Sequence, residues 1–463
     1  MSAGALATAP DAIAFEIVDV LGVAALVRRS ATLGGSVPVR VARACVPLLE
    51  GNAWGHQIAL RHRIELRARL GRWSAVAPAR DVAELDRLVR ASVPMLVRDG
   101  TLRDGAWRAR LEAGLVVTGR TISVFTGLFA RPRPGVRLRQ SSTANRRAWS
   151  YAIAEAILDD PGALCPIVLE VVPAPGATSI ALEGEIATLA ALPASVAFDR
   201  ADLGGDARAD QVAAAHARFY DAEYFATKRR GAVARKYRDQ VARGDDRDPG
   251  RAASTEALVV HAGSPEPLIT PAPPPRFHRP AGPCRAPAGT PPDRLVVTNA
   301  VALTATFDGA HVVVEPDPAE LAAYARRVRA CWEPWLARAP GGPGGPGGPK
   351  GHDGALLYLS KYVTPHPPGE PHFFVKPCAL VRTAPGVSTV IDGVCGDGYD
   401  ILRGVVRTDA FHAAPAVFQL WRPGARITVP RGAPLAQLFP SPRALCDAGF
   451  ASATGGTAAA WTP

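Results

Sequence analysis

Lysine is nearly missing from this chain. Of 53 basic side chains all but Lys228, Lys236, Lys350, Lys361 and Lys376 are arginine. The formal net charge of +11 therefore arises in an Ala-, Gly- and Pro-rich sequence, the residue usage of a genome biased towards G and C, and does not by itself announce a polyanionic partner. The sharpest basic cluster, Lys228-Arg229-Arg230 followed by Arg235, Lys236 and Arg238, falls on a predicted helix and reads as a solvated face, so nucleic acid is not an expected partner. Long apolar runs are also wanting: none approaches the roughly 20 residues that a bilayer requires. The N-terminus, Met1 to Asp11, has no basic segment ahead of an apolar core. A cytoplasmic location without a membrane partner is the expectation. The seven cysteines, Cys45, Cys165, Cys284, Cys331, Cys378, Cys395 and Cys446, are odd in number and scattered, with no Cys-x-x-Cys pair. Neither a disulfide framework nor a zinc knuckle is encoded, and buried free thiols are expected. Phosphate-binding Gly-x-x-x-x-Gly-Lys-Ser/Thr, strand-linked Gly-x-Gly-x-x-Gly and Gly-x-Ser-x-Gly are absent as well, which disfavours nucleotide-dependent chemistry and a serine nucleophile elbow.

What is present is β-rich. The 463 residues carry 48% hydrophobic and 21% charged side chains, ordinary globular usage and enough chain for two or three cores. Val417 to Pro440 reads as strand, Pro-Gly turn, strand, Pro-Arg-Gly turn, strand, because apolar runs stop where Pro fixes φ and Gly accepts positive φ. A fainter copy runs from Ile167 to Leu189, with Pro175-Gly176 answering Pro423-Gly424 and Gly184 answering Gly432. Further landmarks recur in order: Asn299-Ala300 against Asn52-Ala53, Ala319-Glu320-Leu321 against Ala83-Glu84-Leu85, and Pro385-Gly386-Val387 against Pro134-Gly135-Val136. Repetition of this kind predicts a mainly β protein with peripheral helices, a tandem duplicated β-barrel or β-sandwich, with a bicupin-like arrangement among the options. The expected divisions are a first β-rich half at 12–203, a helical segment at 204–244, a Pro-rich linker at 245–292, a second β-rich half at 293–446 and a tail at 447–463. Within them, Asp81 to Val97 has a helical pattern, and Gly341 to Pro349 reads as a disordered loop.

Three stretches carry a resemblance. Cys45-Val46-Pro47-Leu48 with Asn52 and Trp54-Gly55, then Arg382-Thr383-Ala384-Pro385-Gly386, then Gly404-Val405-Val406-Arg407-Thr408-Asp409 with Gly432-Ala433-Pro434 resemble an uncharacterised bacterial domain family. That family has Cys-Leu-Pro-Leu, Arg-Thr-Pro-Pro-Gly and Gly-Val-Val-Glu-Thr-Asp motifs. Trp54-Gly55 reverses its usual order, and Arg407 stands where an acid is usual. The resemblance implies a β-rich fold and supplies no chemistry.

Pro430-x-Gly432-x-Pro434 also looks like the second motif of the cupin barrel, where a metal-binding His follows the Pro; here Leu435 follows, and Ala187 at the matching place earlier. A cupin metal site is therefore not expected, and no cofactor is predicted. The best local ligand set is His366, Glu370 and His372, whose Pro-rich backbone could hold iron or zinc or could be a solvated loop. It motivates an alternative, a metal-dependent tailoring enzyme of bacterial metabolism. The leading expectation is that a cleft within or between the halves binds a small molecule or peptide. Asn52, Trp54 and His56 are its candidate residues, presented by a compact loop, together with His372 and Arg382. The bland alternative makes Trp54 core and Asn52 a turn residue. A structural or assembly protein and a homo-oligomer are the remaining options; no catalytic residue is assigned.

Overall fold

The structure is a computed structural model. It describes residues 13–19, 23–28, 45–77, 116–202, 294–338, 362–365 and 371–454, with short omissions inside several ranges, and in addition 87, 90, 237–241, 258–262 and 269–272. The protein is mainly β.

Two sheets are built chiefly from the N-terminal part. In the first, β1 (Ile13–Asp19), β6 (Ile122–Pro132), β10 (Cys165–Pro173) and β8 (Tyr151–Ile153) lie side by side, with β5 (Val116–Thr118) also on β6. The second runs β2 (Ala24–Arg28), β3 (His56–Arg69), β11 (Ser179–Pro193), β7 (Val136–Ser142) and β9 (Ala156–Leu158), with β4 (Arg72–Ala77) also on β3. Alternation along these strands aims Phe15, Phe125 and Phe129 of the first sheet and Ile58, Ile64, Leu66 and Leu182 of the second into one core. A strand's period of two leaves every other residue of the second sheet facing away from that core.

Among the described residues, the C-terminal part contributes to four further sheets. The largest runs β14 (Ile269–Ala272), β15 (Arg294–Thr298), β26 (Pro434–Pro442), β21 (Val387–Gly393) and β23 (Gly404–Val406). Beside it lie β17 (Val312–Pro316), β16 (Leu303–Phe307) and β25 (Arg426–Val429), then β18 (Val363–Pro365), β19 (His372–Val375), β24 (Ala416–Leu420) and β22 (Tyr399–Ile401). The fourth is β12 (Phe198–Asp202), β13 (Leu258–Ala262) and β20 (Ala379–Arg382). A long helix, Pro318–Arg338, turns Tyr324, Val328, Trp332 and Trp335 onto Phe373 and Phe418, the i, i+4 and i+3 spacing that keeps side chains on one face.

Two strands cross over. β12 follows the last N-terminal strand, yet it pairs in parallel with β13. Conversely β27 (Gly449–Thr454), last in the chain, pairs in parallel with β1, residue for residue from Phe15↔Phe450 to Asp19↔Thr454. Each part of the chain thus lends a strand to the other.

Several expectations need correction. The stretch 245–292, read as a linker without a core, contains β13 and β14. Pro271 is tolerated in β14 because that strand is the edge of its sheet. The tail 447–463 contains β27, whose run of small residues gave no strand signal. The segment carrying Asn52 is no loop: Val46–Ala53 is a helix, α1, with Pro at its start, where the missing N–H costs nothing. The predicted helix at Asp81 to Val97 lies outside the described residues except for 87 and 90, as does the helical segment 204–244 except for 237–241, and Gly341 to Pro349 lies wholly outside them.

Candidate functional site

The outward face of the β3-β11-β7-β9 sheet meets the corresponding face of the β15-β26-β21-β23 sheet. Its apolar part is Trp54, Ala190, Leu192, Val390, Val405 and Phe439. Its polar part is a cluster of charges drawn from both sides. On β7, Leu138 points into the N-terminal core, so Arg139 and Ser141 point across the junction; on β21, Ile391 points into its own core, so Asp392 faces them.

Arg139, Arg294 and Arg403 are 2%, 1% and 4% exposed, so water cannot solvate them and their partners must come from the protein. Arg139 donates from Nε to Glu155 Oε1 (2.6 Å) and from Nη2 to Asp392 Oδ2. Arg403 donates from Nε to Asp392 Oδ1 (2.7 Å) and from Nη2 to Ser141 Oγ (3.1 Å). Arg294 donates from Nη1 to Glu155 Oε1 (2.7 Å) and also to Gln437 Oε1. Two guanidinium groups stand on one ring: Arg139 and Arg294 lie 4.2 and 4.8 Å from the Phe439 centroid. Arg403 lies 5.2 Å from the Trp54 ring. Burial pushes the Asp392 carboxyl up, but Arg403 and Arg139 outweigh it and hold the group well below the usual carboxylate range. Burial likewise opposes the charge on Arg139, and Glu155 and Asp392 more than restore it.

Backbone contacts fix this cluster. Asn145 Nδ2 donates to Arg403 O (3.1 Å), and Arg403 N donates to Asn145 Oδ1 (2.7 Å). Helix α1 lies against the same residue. A Cβ on Gly51 would come within 2.6 Å of Arg403 O, so only glycine permits the approach. Beside them Gln57 is wholly buried on the junction face of β3. Its Oε1 accepts from Thr188 Oγ1 (3.1 Å), and its Nε2 meets no acceptor among the described residues.

The residues singled out from sequence divide. Asn52 and Trp54 belong to this junction, both buried; the Trp54 indole donates to Ser441 Oγ (3.0 Å). Trp54 is thus a packed side chain rather than the wall of an open mouth. His56 turns the other way, edge-on to Phe15 with centroids 5.6 Å apart, as alternation with Gln57 requires. His372 is buried on β19 opposite Gln419, and Arg382 ends β20, each in a different sheet from the junction. His366 and Glu370 lie outside the described residues. Among the described residues no group of three or more His, Cys, Asp or Glu could hold a metal ion. No helix among them is long and apolar enough to cross a membrane.

Sequence reading missed Arg139, Glu155, Arg294, Asp392 and Arg403. No local pattern joins them; only the position of each next to an apolar, inward-facing neighbour hinted at burial. The Arg-Thr-x-Pro-Gly and Gly-Val-Val-x-Thr-Asp stretches prove to touch each other. Thr408 Oγ1 lies 2.8 Å from Thr383 Oγ1 and 2.7 Å from Thr389 Oγ1, while Asp409 accepts from Gly386 N (3.0 Å) and from Arg443 Nη2 (2.8 Å). Those residues hold a turn. Compared with known proteins, the chain matches no family model and no curated protein.

Proposed function

We propose that the protein is a tandem duplicate whose two β-rich parts clasp each other and bind a small oxyanion, a carboxylate- or phosphate-bearing molecule, at the arginine-rich junction. The duplication is supported by strand order. β2-β3-β11-β7-β9 with β4 alongside corresponds to β14-β15-β26-β21-β23 with β17 on the continuation β16. The closing bonds agree too: Ala194 N donates to Gly135 O as Arg443 N does to Gly386 O, each at 2.9 Å. Gly135 and Gly386 have φ of 81° and 79°, and Gly176 and Gly424 of 75° and 79°, so corresponding turns use the same left-handed conformation.

The copies have diverged into complements. Glu155 stands immediately before β9 as Arg403 stands before β23, and the pair Ser141↔Thr188 corresponds to Asp392↔Gln437. A junction shared between copies therefore carries opposite charges at one matching place, Glu155 and Arg403, and at another an acid where the other copy has a hydroxyl, Asp392 for Ser141.

Gln57 Nε2 carries the binding reading. It is a buried amide donor without an acceptor among the described residues, beside Thr188, which itself accepts from Arg403 Nη1 (3.4 Å). An unmet buried donor costs about 1–3 kcal/mol, and an oxyanion accepting from it recovers that cost. Titration of the purified protein with a panel of small carboxylates and phosphates, read by calorimetry, tests this. Saturable binding that Gln57→Leu abolishes while the variant keeps its circular dichroism spectrum is the expected result; identical titrations for both proteins refute it.

A second reading, a structural or assembly protein, is favoured by the exchanged strands, which tie the two copies to each other by main-chain hydrogen bonds. Light scattering that finds large, regular oligomers at micromolar concentration would support it, and a monomer would exclude it. We place the protein in a reducing compartment, for which the free thiols of Cys45, Cys165 and Cys331 speak.

A further inference from the structure

The hairpin that joins β3 to β4 breaks two local rules at once. Its turn is Leu70-Gly71, with φ of 52° and 73°. Leucine is a poor occupant of left-handed backbone, where Asn or Asp would bond locally and suit the turn. The β16–β17 hairpin has that chemistry: Asp308 Oδ1 accepts from Ala310 N (2.7 Å) and His311 N (2.6 Å). Leu70 makes no such bond and is 95% exposed. At the foot of the turn Arg69 and Arg72 are direct cross-strand partners, a like-charge pair that destabilises the ladder.

The charge is local and, among the described residues, uncompensated. Lower on the strand Arg61 pairs with Asp19, and Arg63 with Glu65 and Glu183. Arg67, Arg69 and Arg72 are exposed and form no ion pair among the described residues. Alternation places them on one face of the hairpin, with Ser74 opposite Arg67, while Leu66 and Trp73 pack towards the core.

We propose that this hairpin is a docking surface for an acidic segment of a partner protein, whose carboxylates meet Arg67, Arg69 and Arg72 and whose apolar side chain covers Leu70. Bidentate guanidinium–carboxylate bonds supply the match, and closing over the leucine removes apolar surface from water. This surface is separate from the arginine-rich junction and does not depend on its reading.

Fluorescence anisotropy on the full chain tests the assignment. The probes are a short labelled peptide of glutamates around one leucine, the same peptide with lysine for glutamate, phosphatidylserine vesicles and single-stranded DNA. Preference for the glutamate peptide is expected, weakened about tenfold or more by the double substitution Arg69→Ser with Arg72→Ser. Leu70→Asn separates docking from folding: it should weaken the peptide while raising the thermal midpoint, since Asn suits the turn. Failure to bind the glutamate peptide, equal binding by the variants, or tighter binding to vesicles or DNA would each overturn the proposal.

Discussion

Replacing Asp392 by Asn tests whether the buried charges hold the two parts together. Asp392 serves Arg403 through Oδ1 and Arg139 through Oδ2. At 2.7 Å, the Arg403 pair, an effective dielectric near 20 gives an attraction of about 6 kcal/mol before desolvation is subtracted. Each buried ion forfeits several kcal/mol of hydration, which is why deleting one partner of such a pair costs about 3–5 kcal/mol rather than the gross attraction. Asn keeps an acceptor for one guanidinium and sets an N–H against the other, so a loss of about 3 kcal/mol is expected. Against a total stability of about 5–15 kcal/mol, equilibrium urea unfolding followed by circular dichroism resolves this easily. Arg403→Met alone removes the other partner, and the double variant should recover part of the combined loss, since the Asp392–Arg403 attraction is then counted once. A loss under about 1 kcal/mol, the range of exposed ion pairs, or strict additivity of the two substitutions, would refute the reasoning.

Acid should act through the same carboxyl. Its folded value is depressed, so its contribution is complete above the ordinary value near 4 and is lost as the pH falls below it. The stability gap between wild type and Asp392→Asn should accordingly be flat from about pH 6 to 8 and close below about pH 4 in urea titrations. Gly51→Ala should lower stability by about 1–3 kcal/mol, because its Cβ would meet the backbone of Arg403 and Gly404 at 2.6 Å; an unchanged urea midpoint would show that α1 does not dock there. Thr408→Val leaves the Thr383 and Thr389 hydroxyls without their shared partner and should cost about 1–3 kcal/mol by the same assay. Deleting 447–463 removes β27 and bares β1, so size-exclusion chromatography should find the shortened chain associating through that edge.

Local conformation was legible wherever a single residue controls φ or an alternation of side chains marks a face. Gly176, Gly184, Gly424 and Gly432, picked out by spacing, all have left-handed backbone, and burial alternates over 63–67, where Arg63-Ile64-Glu65-Leu66-Arg67 alternates polar and apolar side chains. Helix α1 was hidden because Pro47 reads as a breaker and Gly51-Asn52 as a turn; its stability comes from docking on β23, a contact more than 350 residues away. Strands β12, β13 and β27 were hidden for a related reason. β12 and β27 pair in parallel with strands of the other part of the chain, and β13 pairs with β12 and with the sequence-distant β20, so no hairpin turn announces any of them. The junction was the least legible of all: an arginine-rich composition looked like genomic bias, and only folding selects Arg139, Arg294 and Arg403 from the rest.

Reciprocal lending of strands also sets a timetable for synthesis. On the ribosome, the sheet that begins at Ile13 cannot be sealed until Thr454 has emerged. Maturation of the N-terminal region must therefore wait until β27 has been made, during which the bare flank of β1 is a target for chaperones and for neighbouring nascent chains.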